Sequence, residues 1–438
     1  MARHRLYVTM AALLGVGAVA LSACGTDSQS GGGGNGGNGG KSSTASIQVW
    51  EGWTGVEAKT FTKLVNEYEK QNPGDKVSSL YVDNDDTLQK VTTAVRGGSP
   101  PDIAYLYGSW APNVATIPQV VDLTQVVKRS GVNWNDFYVG ERDVATVNGK
   151  VIGIPALVDN LAVVYNKKLF AAAGLQPPSA NWTWPEFVAD AQKLTVASKK
   201  QYGTAYVTPG TEDTVWHWEA LLWAAGGQIL TPDNKKAAFN SQAGLTSLNT
   251  LKTLAASKSV YFDPTDQAYE NVFNSGKIGM LVTGPWDLST FPNVQYGVQV
   301  MPSYPGTDGG HQTISGPDNW VVFNNGSAKT AAAEKFLLWL TAPAQVKTWS
   351  LATGDLPTRT SVANAPGLVQ KMNTTLPGVS TFIANLSNVK QARPQITQYP
   401  KISTVLGNMV LSVLLNKSTP QAALNAAEKQ VNQDLAGS

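Results

Sequence analysis

The chain has little of what thiol, zinc or nucleophilic chemistry needs. Of its 438 residues one is cysteine, Cys24, and three are histidine, His4, His217 and His311. A single cysteine forms no intrachain disulfide, and this inventory excludes a zinc site built from several Cys or His ligands. There is no His-Glu-x-x-His segment and no Gly-x-Ser-x-Gly elbow. Asn274-Ser275-Gly276-Lys277-Ile278 lacks the upstream glycine spacing and the following hydroxyl of a phosphate loop. Asp83-Asn84-Asp85-Asp86 lacks the glycine and distal glutamate of a calcium loop. It reads as a solvated turn, with weak cation binding as the alternative. Charge is sparse and balanced: 33 basic and 31 acidic residues make up 15% of the chain and leave a net +2. The basic residues are dispersed, so no nucleic-acid footprint is present. No cofactor and no metal is expected.

What is there begins with a targeting segment. Arg3 and Arg5 precede a stretch from Leu6 to Leu21 that is apolar apart from Thr9, and small residues follow. Residues 1–23 therefore read as a signal peptide, too short and wrongly flanked for a stable span. Leu21-Ser22-Ala23-Cys24 is the lipobox pattern of bacterial lipoproteins, which predicts cleavage before Cys24 and lipidation of its thiol. A plain secretory signal with an incidental cysteine is the alternative. More than one acyl chain makes such an anchor stable, at ~0.8 kcal/mol per buried methylene. Residues 24–45 are the lipidated cysteine and a tether, of which Gly31 to Gly40 contains only Gly and Asn. Such a segment buries too little surface to fold, and about 20 residues of it reach roughly 25 Å. The expected location is the extracytoplasmic face of a bacterial cell membrane.

Folding signals start near Ser46. Ile47–Trp50, Val77–Val82 and Ile103–Leu106 read as strands, and Val56–Gln71 and the stretch around Leu88, Val91 and Val95 as helices. This β-α-β-α-β order predicts a parallel sheet with right-handed crossovers. In such sheets ligands bind beyond the C-terminal strand ends, here Glu51–Thr54, Asp83–Asp86 and Tyr107–Trp110. A second α/β lobe follows. Val151–Pro155, Leu161–Tyr165, Tyr202–Val207 and Ile278–Thr283 read as strands. Asn166–Ala173, Val215–Ala225 and Ala243–Leu254 read as helices. Thr183-Trp184-Pro185-Glu186 has the spacing of a capping box, and from Ala331 the chain is mainly helical.

Several segments in order resemble a known family. They include Gly97-Gly98-Ser99-Pro100-Pro101-Asp102-Ile103, Gly149-Lys150-Val151-Ile152-Gly153-Ile154-Pro155 and Val164-Tyr165-Asn166-Lys167-Lys168-Leu169-Phe170. Later come Trp184-Pro185-Glu186-Phe187, Phe273-Asn274-Ser275-Gly276-Lys277-Ile278-Gly279-Met280, Thr283-Gly284-Pro285-Trp286 and Thr353-Gly354-Asp355-Leu356-Pro357. Over about residues 46–430 the chain resembles the family 1 extracellular solute-binding proteins of ABC importers, the sugar-binding group that includes maltose-binding protein. The resemblance implies an α/β, two-lobed periplasmic-binding-protein-like fold of type II, with two parallel-sheet lobes and an interlobe hinge. The first lobe is expected at 46–157 plus 318–361 and the second at 158–317 plus 362–438. Crossings fall near Ala156–Asn160, Ile314–Asn319 and Thr360–Ala363. It also implies a monomer that captures a sugar, an oligosaccharide by expectation, and hands it to membrane permease subunits.

Sugars present an apolar face and a rim of hydroxyls, so a binder needs aromatic plates with planar polar groups at their edges. Trp286, in Gly-Pro-Trp after a strand, stands where the resemblance implies a stacking aromatic. Asp159 stands where it implies a carboxylate for sugar hydroxyls. Trp53, Tyr107 and Trp110 follow first-lobe strands, and such aromatics either face a ligand or cap the core. Maltose-type relatives often carry an acid in the loop that here reads Tyr107-Gly108-Ser109-Trp110, a departure that argues against maltose itself. Asp213 and Trp216 enter from a loop-to-helix segment. His217 reads as a polar helix residue, and of Trp216 and Trp218 one is expected in the core. Asp318 sits at the second crossing and Tyr399 follows Arg393-Pro394-Gln395, each with a structural role as an equal alternative. Polyamine or glycerol-phosphate binding, a surface adhesin, and a glycoside hydrolase using a pair such as Asp159 and Asp213 are the rival readings. A phosphate ester calls for clustered Arg or Lys at strand ends, which the sequence lacks.

Overall fold

The computed structural model describes residues 45–129, 131–265 and 267–437. The expected signal peptide, Cys24 and nearly all of the tether lie outside the described residues. In chain order the elements that position the site are β1 (Ser46–Glu51), α1 (Gly55–Gln71), β2 (Lys76–Tyr81), α2 (Asn84–Arg96), β3 (Ile103–Tyr107), β4 (Ile154–Leu157), β5 (Ala162–Asn166), α3 (Trp184–Leu194), β6 (Thr204–Val207), α4 (Glu212–Ala224), β7 (Val260–Asp263), β8 (Met280–Thr283), β9 (Tyr296–Gln299), β10 (Asp318–Val322), α5 (Ser327–Leu340), α6 (Pro343–Thr353) and α7 (Tyr399–Leu414).

The first sheet has the order β2-β1-β3-β10-β4. Its β1-β2 and β1-β3 pairs are parallel, as the alternating pattern predicts. Strand β10 is antiparallel to both β3 and β4, which corrects the expectation of an all-parallel lobe. The reason is the path of the chain. β10 arrives from the second lobe at the end where β3 stops, so it can only run back the other way. Its first residue, Asp318, therefore pairs with the last residue of β3, Tyr107. Both faces of this sheet are covered. Ile103 and Tyr105 pack with Phe61, Leu64, Tyr68, Trp320, Phe336 and Leu337 on one side. Ala104 and Leu106 pack with Leu88, Val91, Trp110 and Val321 on the other.

The second lobe departs further from a parallel sheet. Its three-stranded sheet is β8-β5-β9, and β5 is antiparallel to both neighbours. Again the chain path decides. β5 starts at the crossing and runs away from it, whereas β8 runs toward it, so Thr283 pairs with Ala162. That register brings Asp159, just before β5, and Trp286, just after β8, to one edge. The β6-β7 pair is parallel and leads into Glu212–Trp216 and Tyr269–Glu270. Helix α4 is buried nearly all round, the mark of a core helix. Trp218 is its core indole, fully buried with its Nε1–H donating to Ser247 Oγ at 3.0 Å. The capping box at α3 is present, with Thr183 and Glu186 bonding reciprocally. None of the described helices is long and apolar enough to cross a membrane.

Candidate functional site

Strand ends of both lobes converge on one cavity of about 950 Å3, its open mouth included. Of the residues expected from sequence, Trp53, Tyr107, Asp159, Asp213, Trp216, Trp286 and Asp318 line it. Two expected residues do not. Trp110 is buried in the first-lobe core, its ring 4.6 Å from that of Tyr107. Tyr399 is fully buried at the start of α7, and its hydroxyl donates to Glu212 Oε1 at 3.1 Å and Glu219 Oε1 at 2.9 Å. Its polar end is spent on joining α7 to α4.

The aromatic wall is made by Trp216 and Trp286, whose centroids are 5.8 Å apart with planes inclined at 32°. Trp216 is 7% exposed and its Nε1–H has no partner among the described residues. Trp53 contributes an edge. The rest of its ring is held by Phe61, Tyr105, Trp320 and Trp349, the last at 4.4 Å.

The polar lining is acidic. Asp318 is held by Tyr105 Oη, which donates to its Oδ2 at 2.5 Å, and by the Gly108 N–H at 3.1 Å. Burial raises it to about 6, although Arg393 works against the rise. Asp159 accepts the Gly316 N–H at 3.0 Å. Burial, and next the Asp318 charge, hold it well above the ordinary carboxylate range. The Asp213 side chain stands 3.4 Å from His217 Nδ1. Burial of that imidazole opposes its charging, but Asp213 outweighs it and the ring's pKa is raised. His217 also contacts the Asp213 carbonyl at 2.9 Å, so it serves the helix as expected.

The sequence reading missed Glu57, Asp83, Asn84, Tyr105, Glu212, Tyr269, Glu270, Asp355 and Arg393, all of which line the cavity. Some had a signal. Asp83 and Asn84 are at a strand end already singled out, Glu57 lies in the helical turn just after another, and Asp355 and Arg393 lie in quoted segments. Tyr269 and Glu270 follow β7, a strand that the periodicity left unrecognised. The Asp83–Asp86 stretch is no solvated turn. Asp83 caps α2, and Asp85 spans the lobes, accepting Tyr107 Oη at 3.0 Å and the Asp213 N–H at 3.2 Å. Arg393 is the basic residue of the lining, and its Nη1 is 2.9 Å from Glu212 Oε1. Among the described residues no group of three or more His, Cys, Asp or Glu is arranged to hold a metal ion.

An interlobe cavity with an indole wall and a carboxylate rim defines a two-lobed solute-binding protein, and the comparisons give its family. The sequence pattern of the bacterial extracellular solute-binding proteins matches residues 52–347, and the chain belongs to that family, the substrate-binding components of ABC transporters. It is similar to the cyclic alpha-maltosyl-1,6-maltose binding protein of Arthrobacter globiformis, at 30% identity over 90% of this chain and 100% of that one, with a TM-score of 0.71. The substrate-binding protein Lmo0181 of Listeria monocytogenes, solved with cycloalternan, is 26% identical over 89% of this chain and 99% of that one, with a TM-score of 0.79. The sn-glycerol-3-phosphate-binding periplasmic protein UgpB of Salmonella paratyphi A is 24% identical over 89% of this chain and 92% of that one.

Proposed function

We propose that this chain captures a sugar, by preference an oligosaccharide, outside the cytoplasm and delivers it to the permease of an ABC importer. One observation carries the reading: the Trp216–Trp286 wall faces fixed carboxylates across a cavity walled by both lobes. A flat indole suits the apolar face of a pyranose. Carboxylates such as Asp159 and Asp318, already held by backbone N–H groups, suit its hydroxyls. A hydroxyl that meets a buried acceptor discriminates strongly, because its absence leaves that acceptor unpaired. Sugar-binding relatives support the choice of ligand class.

In this reading the lobes are 46–157 plus 318–361 and 158–317 plus 362–438. They rotate about the crossings near Ala156–Asn160, Ile314–Asn319 and Thr360–Ala363. A sugar that touches both lobes favours their closed arrangement by its differential affinity for it. The protein acts as a monomer, held to the membrane by lipid on Cys24. It transforms nothing.

Glycerol phosphate, the ligand named for the UgpB relative, fits poorly. The lining offers one guanidinium, already paired with Glu212, against many carboxylates.

The test is titration calorimetry, with a thermal-shift screen of mono- and oligosaccharides, spermidine and glycerol phosphate. A sugar bound in the micromolar range or tighter and recovered uncleaved by chromatography supports the proposal. Binding of glycerol phosphate alone, or cleavage of the sugar, overturns it.

A further inference from the structure

The lining is more acidic than hydroxyl recognition requires, and two of its groups have needs that a neutral sugar meets only in part. The first is Asp355, which is 1% exposed. Trp349 Nε1 donates to its Oδ2 at 2.6 Å, while its Oδ1 has no hydrogen-bond partner among the described residues. Facing it is the carboxyl of Glu57, hydrogen-bonded to Asp355, with the charge of Glu270 close by. Two carboxyl groups in such a place hold together by sharing a proton or by sharing a cation. The second group is the Nε1–H of Trp216, a buried donor with no acceptor among the described residues.

These needs select among ligand chemistries. The Glu57–Asp355 pair wants a compact cation with several N–H donors. The Trp216 indole wants an acceptor oxygen. A protonated polyamine supplies the first and has no acceptor for the second. A neutral sugar supplies the second and leaves the acids to be neutralised by protons. A sugar carrying an ammonium group supplies both, from one rigid frame.

We infer that the ligand is an amino sugar, or an oligosaccharide that contains one, with its protonated amine seated at the Glu57–Asp355 pair and its ring oxygens toward Trp216. The inference rests on the proposed sugar-binding function and narrows it. Seating the ammonium displaces the proton that the two acids share, so capture at neutral pH releases protons to solvent.

The test compares glucosamine oligosaccharides of two to four units with their N-acetylated counterparts, by titration calorimetry at pH 6.5 in two buffers of different ionisation enthalpy. The amine form should bind at least ten-fold tighter, with proton release that the acetylated form lacks, and the advantage should shrink as salt is raised. Glu57→Gln combined with Asp355→Asn, both close to isosteric, should cut the ratio of the two affinities by at least ten-fold. Equal affinities, or tighter binding of the acetylated sugar, overturn the amine assignment and leave the sugar reading standing. Binding of spermidine or calcium with no binding of any sugar overturns both.

Discussion

Trp216, on the first turns of α4, and Trp286, just past β8, stand 5.8 Å apart at 32° and form one face of the interlobe cavity. Trp286 is the less buried of the two, so it can be truncated at least cost to the core. Trp286→Ala should weaken sugar binding by roughly ten-fold or more, the ~1.4 kcal/mol scale of one good contact, and keep a cooperative unfolding transition. Calorimetric titration with unchanged affinity counts against this face as the stacking surface.

Arg393 and Glu212 form an ion pair of 2.9 Å with both side chains buried. Ser403 and Tyr399 also donate to the same carboxylate. Removing one member of such a pair leaves a stranded charge, at a cost of about 3–5 kcal/mol. Arg393→Met should lower stability by that order in urea unfolding. Adding Glu212→Gln should restore part of the loss. A double variant no more stable than the single one would show that the pair's charges are not the cause.

Buried acids, Asp318 in the cavity lining and Asp85 and Asp287 outside it, give stability an unusual pH dependence. Burial, and next the Asp213 charge, raise Asp85 to about 7. Burial raises Asp287 to about 7 and Asp318 to about 6. Unfolded, each returns to about 4. The folded state then holds more protons than the unfolded state between about pH 4 and pH 7, so stability falls as pH rises through that window and levels off above it. The melting temperature should drop by a few degrees from pH 5 to pH 8. Asp85→Asn, which keeps an acceptor but not the charge, should flatten the slope. A melting temperature that climbs over this range contradicts the assignment.

Gly316 is a glycine because of Asp159. A Cβ at that position would lie 2.5 Å from Asp159 Oδ1, the atom that accepts the Gly316 N–H. Gly316→Ala should cost about 1–3 kcal/mol through overpacking and displace Asp159 from the cavity. Loss of sugar affinity of about ten-fold should accompany it in calorimetry. Full affinity in this variant would remove Asp159 from the recognition set.

Cys24 should decide where the protein resides. Cys24→Ser has no thiol to carry the lipid, so the protein should move from the membrane fraction to the soluble extracytoplasmic fraction in detergent partitioning. An unchanged distribution would point to a plain secretory signal and some other attachment.

Much of the fold was legible because its cues are local. The short apolar run at Ile103–Tyr107, the apolar face at Phe61, Leu64 and Tyr68, and the Thr183–Glu186 capping box each act within a few residues. Strand direction was not legible at β10 and β5, since it depends on which end of a sheet the chain enters. For Trp110 and Tyr399 the sequence left a ligand-facing and a structural place open for a related reason. An aromatic at an element's edge reads the same in sequence whether it turns toward a cleft or under it.

By itself the sequence determined the succession of strands and helices and the strand-end loops, because periodicity, turn residues and caps are short-range physics; Trp286 and Asp159 were picked out by the family resemblance, and the register of β8 on β5 brought them to one edge. Only the tertiary structure decided the cavity's charge. Glu57, Glu270 and Asp355 are far apart along the chain and carry no shared pattern. Their proximity, and the raised protonation of Glu57 and Asp355, arise from burial and from one another once the lobes bring them to a common wall.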